Sequence, residues 1–375
     1  MRVIPCDGSA HAVRELDAAL RDMLAGGEAV APVAPGQRPP PKDPGAAQLV
    51  VGTSGSTGAP RWVQLGADAL SASATATSAR LGGAGAWLLA LPAQHIAGLQ
   101  VLVRAALAGI LAEVLDLRGG FDPARFSAAA QRLLRRGKRC YTALVATQLA
   151  RLLDAGTQSL AGFDAVLLGG SAVPQPLLGR ARAAGVRVVT TYGMTEMAGG
   201  CVYDGWPLDG VRVRVAAPDG IVELAGPMLA SGYLDAAEQT ATAFRHGWFH
   251  TRDLGRIDAQ GRLQVLGRAD DVIITGGLNV VPAEVEAVLN ALPGVAAACV
   301  VGVPDPEWGQ RVTAVVAPTN PACPPDPDVL RAAARRMLTR AQVPKEIILC
   351  DQLPLCGVGK PDRHAVRAML ASRQR

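Results

Sequence analysis

Apolar and polar positions change rhythm twice along this chain of 375 residues. An amphipathic stretch at 10–24 predicts a helix, and the Pro-rich run 31–46 reads as a connector. Short apolar runs then alternate with amphipathic ones. The runs predict strands at 49–52, 86–91, 112–115, 165–168, 186–190 and 211–215. Helices are predicted between them at 67–81, 96–108, 122–136 and 147–154. Such alternation specifies an α/β fold with substantial parallel sheet. After residue 220 short strands with Gly turns take over, which reads as a β-rich subdomain with hairpins. From Asp270 a compact tail follows: helix 282–292, strands 295–303 and 311–317, helix 327–338 and strand 346–349. The expected architecture is a large N-terminal domain, 1–269, with mixed and parallel sheets, plus a small α+β C-terminal domain, 270–375.

Composition narrows the function classes. The chain is 49% hydrophobic, yet holds no uncharged apolar run of 18 residues, so no membrane span is expected. The N-terminus lacks the apolar core of a signal peptide, which makes a cytoplasmic chain the expectation. Seven cysteines fall at no metal-ligand spacing, and reduced, mostly buried thiols are expected. The net charge is +5, but basic residues cluster only at 132–139 and 331–340, at helical spacing. Aromatics are 4% of residues, leaving little to stack on bases, so no nucleic-acid partner is expected. A polyanionic small molecule suits this charge as well. Only four basic residues are lysines: Lys42, Lys138, Lys345 and Lys360. A lysine in a motif of this Arg-rich chain marks a place where a compact ammonium is wanted.

One loop points to a phosphate. The apolar run Gln48-Leu49-Val50-Val51 leads into Thr53-Ser54-Gly55-Ser56-Thr57-Gly58. Glycines let backbone approach an anion, and N–H groups and hydroxyls donate to phosphate oxygens. It is not the common ATPase loop, because Ala59 stands where that pattern needs Lys. Taken alone it reads equally as a surface turn. Further motifs follow in order: Leu168-Gly169-Gly170-Ser171, Thr191-Tyr192-Gly193-Met194-Thr195-Glu196, Trp248-Phe249-His250-Thr251-Arg252-Asp253 and Gly267-Arg268-Ala269-Asp270-Asp271. Then come Thr275-Gly276-Gly277 and Gly357-Val358-Gly359-Lys360.

In this order the motifs resemble the adenylate-forming superfamily of acyl-CoA synthetases, luciferase and peptide-synthetase adenylation domains, over residues 49–361. Within it the chain looks like the short actinobacterial o-succinylbenzoate–CoA ligase family of menaquinone synthesis. The resemblance implies an acid–thiol ligase with an acyl-AMP intermediate, using ATP, Mg²⁺ and CoA on a small carboxylic acid. It implies that Thr53, Ser54, Gly55, Ser56, Thr57 and Gly58, with Arg61, hold the β/γ-phosphates. Gly169, Gly170 and Ser171 would line the adenine slot, with the ring against Tyr192. Thr195 would touch the α-phosphate, and Glu196 would hold Mg²⁺. Asp253 and Arg268 would grip the ribose. Lys360 would bridge the attacking carboxylate and the α-phosphate. Asp270 would be the hinge joining the domains, and the Gly276-Gly277 loop would line the pantetheine path. His95, Gly193 and Met194 would border the acyl group. Arg104 would pair with a second carboxylate or stand as a helix-surface charge. Trp308 would lie near the CoA nucleotide or serve packing.

Three departures from the family pattern stand out. Arg61 replaces Lys, Arg252 replaces the Gly of a Thr-Gly-Asp motif, and most members carry a longer N-terminal part. A homodimer covering the surface so exposed is an expectation. Another aryl or fatty acid–CoA ligase and a catalytically silent nucleotide-binding homologue remain the alternatives.

Overall fold

The computed structural model describes residues 1–41, 43–53, 61–356 and 360–373, with backbone alone at 356 and 360. Its largest sheet has seven strands, in the order Trp206–Pro207, Gly199–Tyr203, Val188–Met194, Ala165–Gly169, Cys140–Val145, Ala86–Leu89, Glu113–Val114. The five from Val188–Met194 to Glu113–Val114 run parallel. Side chains alternate across it into two cores. Trp87, Leu89, Tyr141 and Leu167 enter one core with Leu99 and Val103 of the helix Ile96–Leu107. Leu88, Leu144, Val166 and Leu168 enter the other, with Phe126, Leu133, Leu149 and Phe163. Burial on both faces is why these strands read as unbroken apolar runs.

A second sheet orders Arg2–Pro5, Val30–Val33, Leu49–Thr53, Arg61–Leu65 and Gly232–Tyr233. Here Leu49–Thr53 and Arg61–Leu65 pair antiparallel, with Thr53 opposite Arg61. The Ser/Gly loop between them lies outside the described residues. A third sheet, all antiparallel, joins Arg212–Ala216, Ile221–Ala225, Trp248–Ile257 and Phe244–Arg245, with Leu263–Arg268 also on Trp248–Ile257. This is the β-rich part expected after residue 220.

The smaller C-terminal domain is built on Val295–Asp305 and Gly309–Pro318. Ala298, Val300, Val312 and Ala314 face Val285, Leu289 and Leu330. Cys299, Val301 and Val315 face Val366 and Leu370 of the helix Arg363–Arg373. The strands Ile273–Thr275 and Leu278–Val280 are joined by Gly276 and Gly277 at φ +55° and +77°. A two-residue hairpin turn with both φ positive wants glycine at both places. The fold is thus α/β with mixed sheets in a large N-terminal domain, followed by a smaller domain.

Several elements differ from the sequence expectation. Val30–Val33 is a buried strand that overlaps the start of the stretch read as a connector, because Pro32 masks an inner pairing with Arg2–Pro5 and Leu49–Thr53. Cys140–Val145 was not expected as a strand and sits at the centre of the large sheet. The strand expected at 186–190 runs on to Met194, which carries the Tyr-Gly-Met motif within it. The helix expected at 327–338 ends at Ala334.

Phe126 is fully buried, against Phe121 and Phe163, and far from the motifs in sequence. Phe126→Ala is expected to lower unfolding stability by about 3–5 kcal/mol in a denaturant titration. A loss under about 1 kcal/mol would mean that this core collapses around the gap.

Candidate active site

Among the described residues, contacts join Tyr192, Asp253 and Arg268 in one cluster and Glu196, Tyr233 and Arg61 in another, with members drawn from all three N-terminal sheets. Asp253 is 8% exposed on Trp248–Ile257, whose alternation turns Phe249, Thr251 and Asp253 inward and Arg252 outward. The Thr251 hydroxyl donates to the Val222 carbonyl at 2.7 Å and accepts the Asp253 N–H at 2.9 Å, fixing the backbone there. The Asp253 carboxylate accepts the Tyr192 hydroxyl at 2.7 Å and lies 3.4 Å from the Arg268 guanidinium. Arg268 is its cross-strand neighbour. Burial first, then the charge of Asp253, push the Tyr192 phenol up, so it remains a donor.

Glu196 anchors a second cluster. It lies in the short turn Thr195–Met197 that follows the strand Val188–Met194. Its carboxylate accepts the Tyr233 hydroxyl at 2.9 Å, and Arg61 lies over the Tyr233 ring at 5.7 Å. Burial, then Glu196, push the Tyr233 phenol up. Thr195 is buried at its side. The turn ends at Ala198 with φ +50°, which costs a non-Gly residue energy. The Ala198 carbonyl accepts Ser73 Oγ at 3.1 Å and Gln100 Nε2 at 2.8 Å, and these hold the strained residue in place.

Glycines set the close approaches. A Cβ on Gly169 would collide with Thr191, and one on Gly193 with the Gly199 carbonyl. Gly170 has φ +88° and, with Ser171, is exposed beyond the strand end. A Cβ on Gly98 would strike Pro92, so this glycine seats the start of the Ile96–Leu107 helix, where His95 is exposed. Met194, half-buried, precedes Thr195.

Arg104 departs from one expectation. It is 5% exposed, not a helix-surface charge. Its guanidinium lies over the Trp87 ring at 5.1 Å and 3.4 Å from the Tyr203 hydroxyl, while its Nε has no partner. Among the described residues no carboxylate pairs with it. Asp270 lies 3.1 Å from Arg252 and 3.5 Å from Arg268, next to the ribose-site candidates. Gly276 packs on the Trp308 ring, and Lys345 lies over that ring at 4.2 Å. Ser54, Gly55, Ser56, Thr57 and Gly58 lie outside the described residues, as does the Lys360 side chain. From sequence, Thr251 appears only within its motif, with no role, and Tyr233 was missed. Tyr233 belongs to no motif, and only its distance from Glu196 reveals it.

Metal fit depends on donor type. No group of three His, Cys, Asp or Glu stands together among the described residues. One carboxylate plus nucleotide phosphates is a usual way to hold Mg²⁺, and Glu196 is such a carboxylate. Burial holds the Cys201 and Cys299 thiols up at about 12, so these two stay protonated and are poor metal ligands.

These features define an AMP-binding enzyme. The family model for AMP-binding enzymes matches residues 5–234, and that for the AMP-binding enzyme C-terminal domain matches 284–360. The chain belongs to this family. It is 48% identical over 322 residues to a probable 2-succinylbenzoate–CoA ligase of Mycobacterium tuberculosis, covering 85% of this chain and 83% of the relative. It is 36% identical to the 2-succinylbenzoate–CoA ligase of Geobacillus kaustophilus, covering 85% and 68%. The o-succinylbenzoate CoA synthetase of Bacillus subtilis, solved with its acyl-adenylate intermediate, superposes with a TM-score of 0.77 at 26% identity, covering 94% and 80%. It has also been solved with ATP and magnesium.

Tyr192→Phe removes a donor to Asp253 and keeps the ring. AMP affinity measured by calorimetry is expected to weaken about 10–150-fold, the worth of one hydrogen bond to a charged group. Unchanged affinity would show that the hydroxyl does not orient Asp253 for the ligand.

Proposed function

We propose that this protein is an AMP-forming acid–thiol ligase that converts 2-succinylbenzoate, ATP and CoA to 2-succinylbenzoyl-CoA, AMP and pyrophosphate, a step of menaquinone biosynthesis. The observation that carries the reading is the pair of clusters, Tyr192–Asp253–Arg268 and Glu196–Tyr233–Arg61, in a chain so similar to ligases of that name. A carboxylate is a poor electrophile because oxide is a poor leaving group. Its oxygen therefore attacks the α-phosphorus of ATP, forming the acyl–O–P bond as pyrophosphate leaves with the broken bond's electron pair. The CoA sulfur then attacks the acyl carbon. A C–S bond forms, the C–O bond breaks, AMP leaves and the thiol proton is released.

Each residue serves one of these needs. Asp253 accepts from the ribose hydroxyls, with Arg268 holding its other side. Gly169, Gly170 and Ser171 leave a slot for adenine against Tyr192. The N–H and hydroxyl groups of 53–58 and the cation Arg61 take the β/γ-phosphates, and Thr195 takes the α-phosphate. Glu196 would hold Mg²⁺, which when bound screens phosphate charge. Lys360 brings a compact cation to the reacting oxygens, and it is one of only four lysines in the chain. Asp270 is the hinge between domains 1–269 and 270–375. It lets the Gly276-Gly277 loop replace Lys360 at the cleft for the second step. Trp308 serves packing beneath that loop. The homodimer belongs to the same reading, with Leu107 and Leu111 both exposed. A monomeric mass in sedimentation at micromolar concentration removes it.

His95, Gly193 and Met194 border the acyl group. Beneath Gly193 lies its partner Gly200, whose Cβ would stand 2.9 Å from the Tyr203 ring, and Arg104 sits behind Tyr203. A buried cation without a carboxylate is costly and is little screened from a nearby anion. Arg104 therefore attracts the second carboxylate of succinylbenzoate.

Three measurements test this. ATP–pyrophosphate exchange is expected with 2-succinylbenzoate, followed by thioester on adding CoA. Exchange only with benzoate or fatty acids selects another ligase of the same fold, and no exchange with any acid selects the silent homologue. Lys360→Ala is expected to abolish exchange yet spare thioester formation from supplied acyl-AMP. Arg104→Met is expected to cut kcat/KM for 2-succinylbenzoate about 10–100-fold and to spare benzoate. Equal loss for both acids would assign Arg104 to packing alone.

A further inference from the structure

Two consecutive aspartates hold the segment between the domains, and they face opposite ways. Asp270 meets Arg252 at 3.1 Å and Arg268 at 3.5 Å, both on strands of the large domain. Asp271 accepts from Arg363 Nε at 3.0 Å, at the start of the helix Arg363–Arg373 in the small domain. The two contacts differ in burial. Arg252 and Asp270 are 46% and 47% exposed, whereas Arg363 and Asp271 are 20% and 25% exposed.

Arg363 does more than pair with Asp271. It forks onto Glu286, with Nη2 at 2.9 Å from Oε2 and Nη1 on Oε1, and it donates to the Val300 carbonyl at 3.1 Å. Glu286 Oε1 also accepts the Val300 N–H at 2.7 Å. One side chain thus joins the interdomain segment, the helix Pro282–Asn290 and the strand Val295–Asp305. Forked, partly buried ion pairs with every oxygen bonded are stiff, while exposed pairs are screened and readily exchanged.

The reach from this cluster to Lys360 is short. Only Pro361 and Asp362 intervene. Pro361 has its φ fixed by its ring. The Asp362 N–H donates to the Pro354 carbonyl at 2.8 Å, and its side chain accepts the Ala365 N–H at 2.9 Å. Cys356 pairs with Lys360, and Leu355 with Pro361. The backbone at Lys360 is therefore fastened to the first turn of the Arg363–Arg373 helix.

We propose that Arg363 is the positioning residue for Lys360. It locks Asp271, Glu286 and Val300 together, so that the Lys360 backbone follows the hinge as part of one rigid body. The exposed Arg252–Asp270 contact is the one that opens when the small domain turns. This rests on the reading of Lys360 and the hinge given above. Arg252, where the family pattern has Gly, gives this chain an extra hold on one domain orientation.

The test separates the two half-reactions in the full-length protein, with Lys360→Ala alongside. Pyrophosphate exchange with 2-succinylbenzoate reads adenylation, and thioester formation from supplied 2-succinylbenzoyl-AMP and CoA reads the second step. Arg363→Gln is expected to lower exchange about 30-fold or more while thioester formation stays within about threefold. Arg363→Lys is expected to recover part of the exchange. Asp271→Asn is expected to show the same split at smaller size, because Arg363 keeps Glu286. An unfolded small domain would cost thioester formation too, since the Gly276-Gly277 loop lies in it. Equal loss of both half-reactions in Arg363→Gln and Asp271→Asn, or unchanged exchange in Arg363→Gln, overturns the proposal. No split in Lys360→Ala overturns the underlying reading of Lys360. A split there without one in Arg363→Gln overturns the positioning role alone.

Discussion

The Asp253 carboxylate is the constraint on which the rest of the site depends. At 8% exposure a carboxylate must be bonded or protonated, and Asp253 has Tyr192 on one oxygen and Arg268 on the other. The two partners come from different sheets. Tyr192 belongs to the seven-stranded sheet, and Arg268 ends the strand that leads into the interdomain segment. One buried charge therefore fixes the register between the parallel sheet and the β-rich sheet. Arg268 shares its guanidinium with Asp270, so the same charge also reaches the start of the smaller domain.

Glu196 repeats this logic on the other side. Its turn is held by the carbonyl of a residue with positive φ, bonded to Ser73 and Gln100 from two different helices. Tyr233 reaches it from the far edge of the second sheet. Arg61 in place of Lys is understandable here. Its guanidinium lies 5.7 Å from the Tyr233 ring centroid, within cation–π range, a contact that arginine makes more often than lysine.

Much of this was legible in the sequence, and the reason is local. The parallel strands at 86–91 and 165–168 declare themselves because both faces are buried. The helix at 10–24 carries its own cap, Ser9, whose hydroxyl accepts the Ala12 N–H. The motifs around Tyr192, Glu196, Asp253 and Arg268 were legible because each is a short contiguous run of residues. What was not legible is non-local. Val30–Val33 is a strand only because neighbours on both sides pair with it, which outweighs its proline signal. Cys140–Val145 follows a basic run that hides its apolar character. Tyr233, and the pairing of Arg252 with Asp270, exist only through contacts between distant segments. Arg104 read either as the partner of a second carboxylate or as a helix-surface charge, and what the sequence does not show is that the face that carries it packs against Tyr203 and Trp87.

The most direct measurement follows an oxygen atom. 2-Succinylbenzoate labelled with ¹⁸O in both carboxylates is turned over with ATP and CoA, and the products are weighed by mass spectrometry. If the carboxylate attacks the α-phosphorus in the cleft built around Asp253 and Glu196, one labelled oxygen is expected in the phosphate of AMP, with none in pyrophosphate. Label in pyrophosphate or orthophosphate, or unlabelled AMP alongside the thioester, would contradict an acyl-AMP intermediate and the assignment of this site with it.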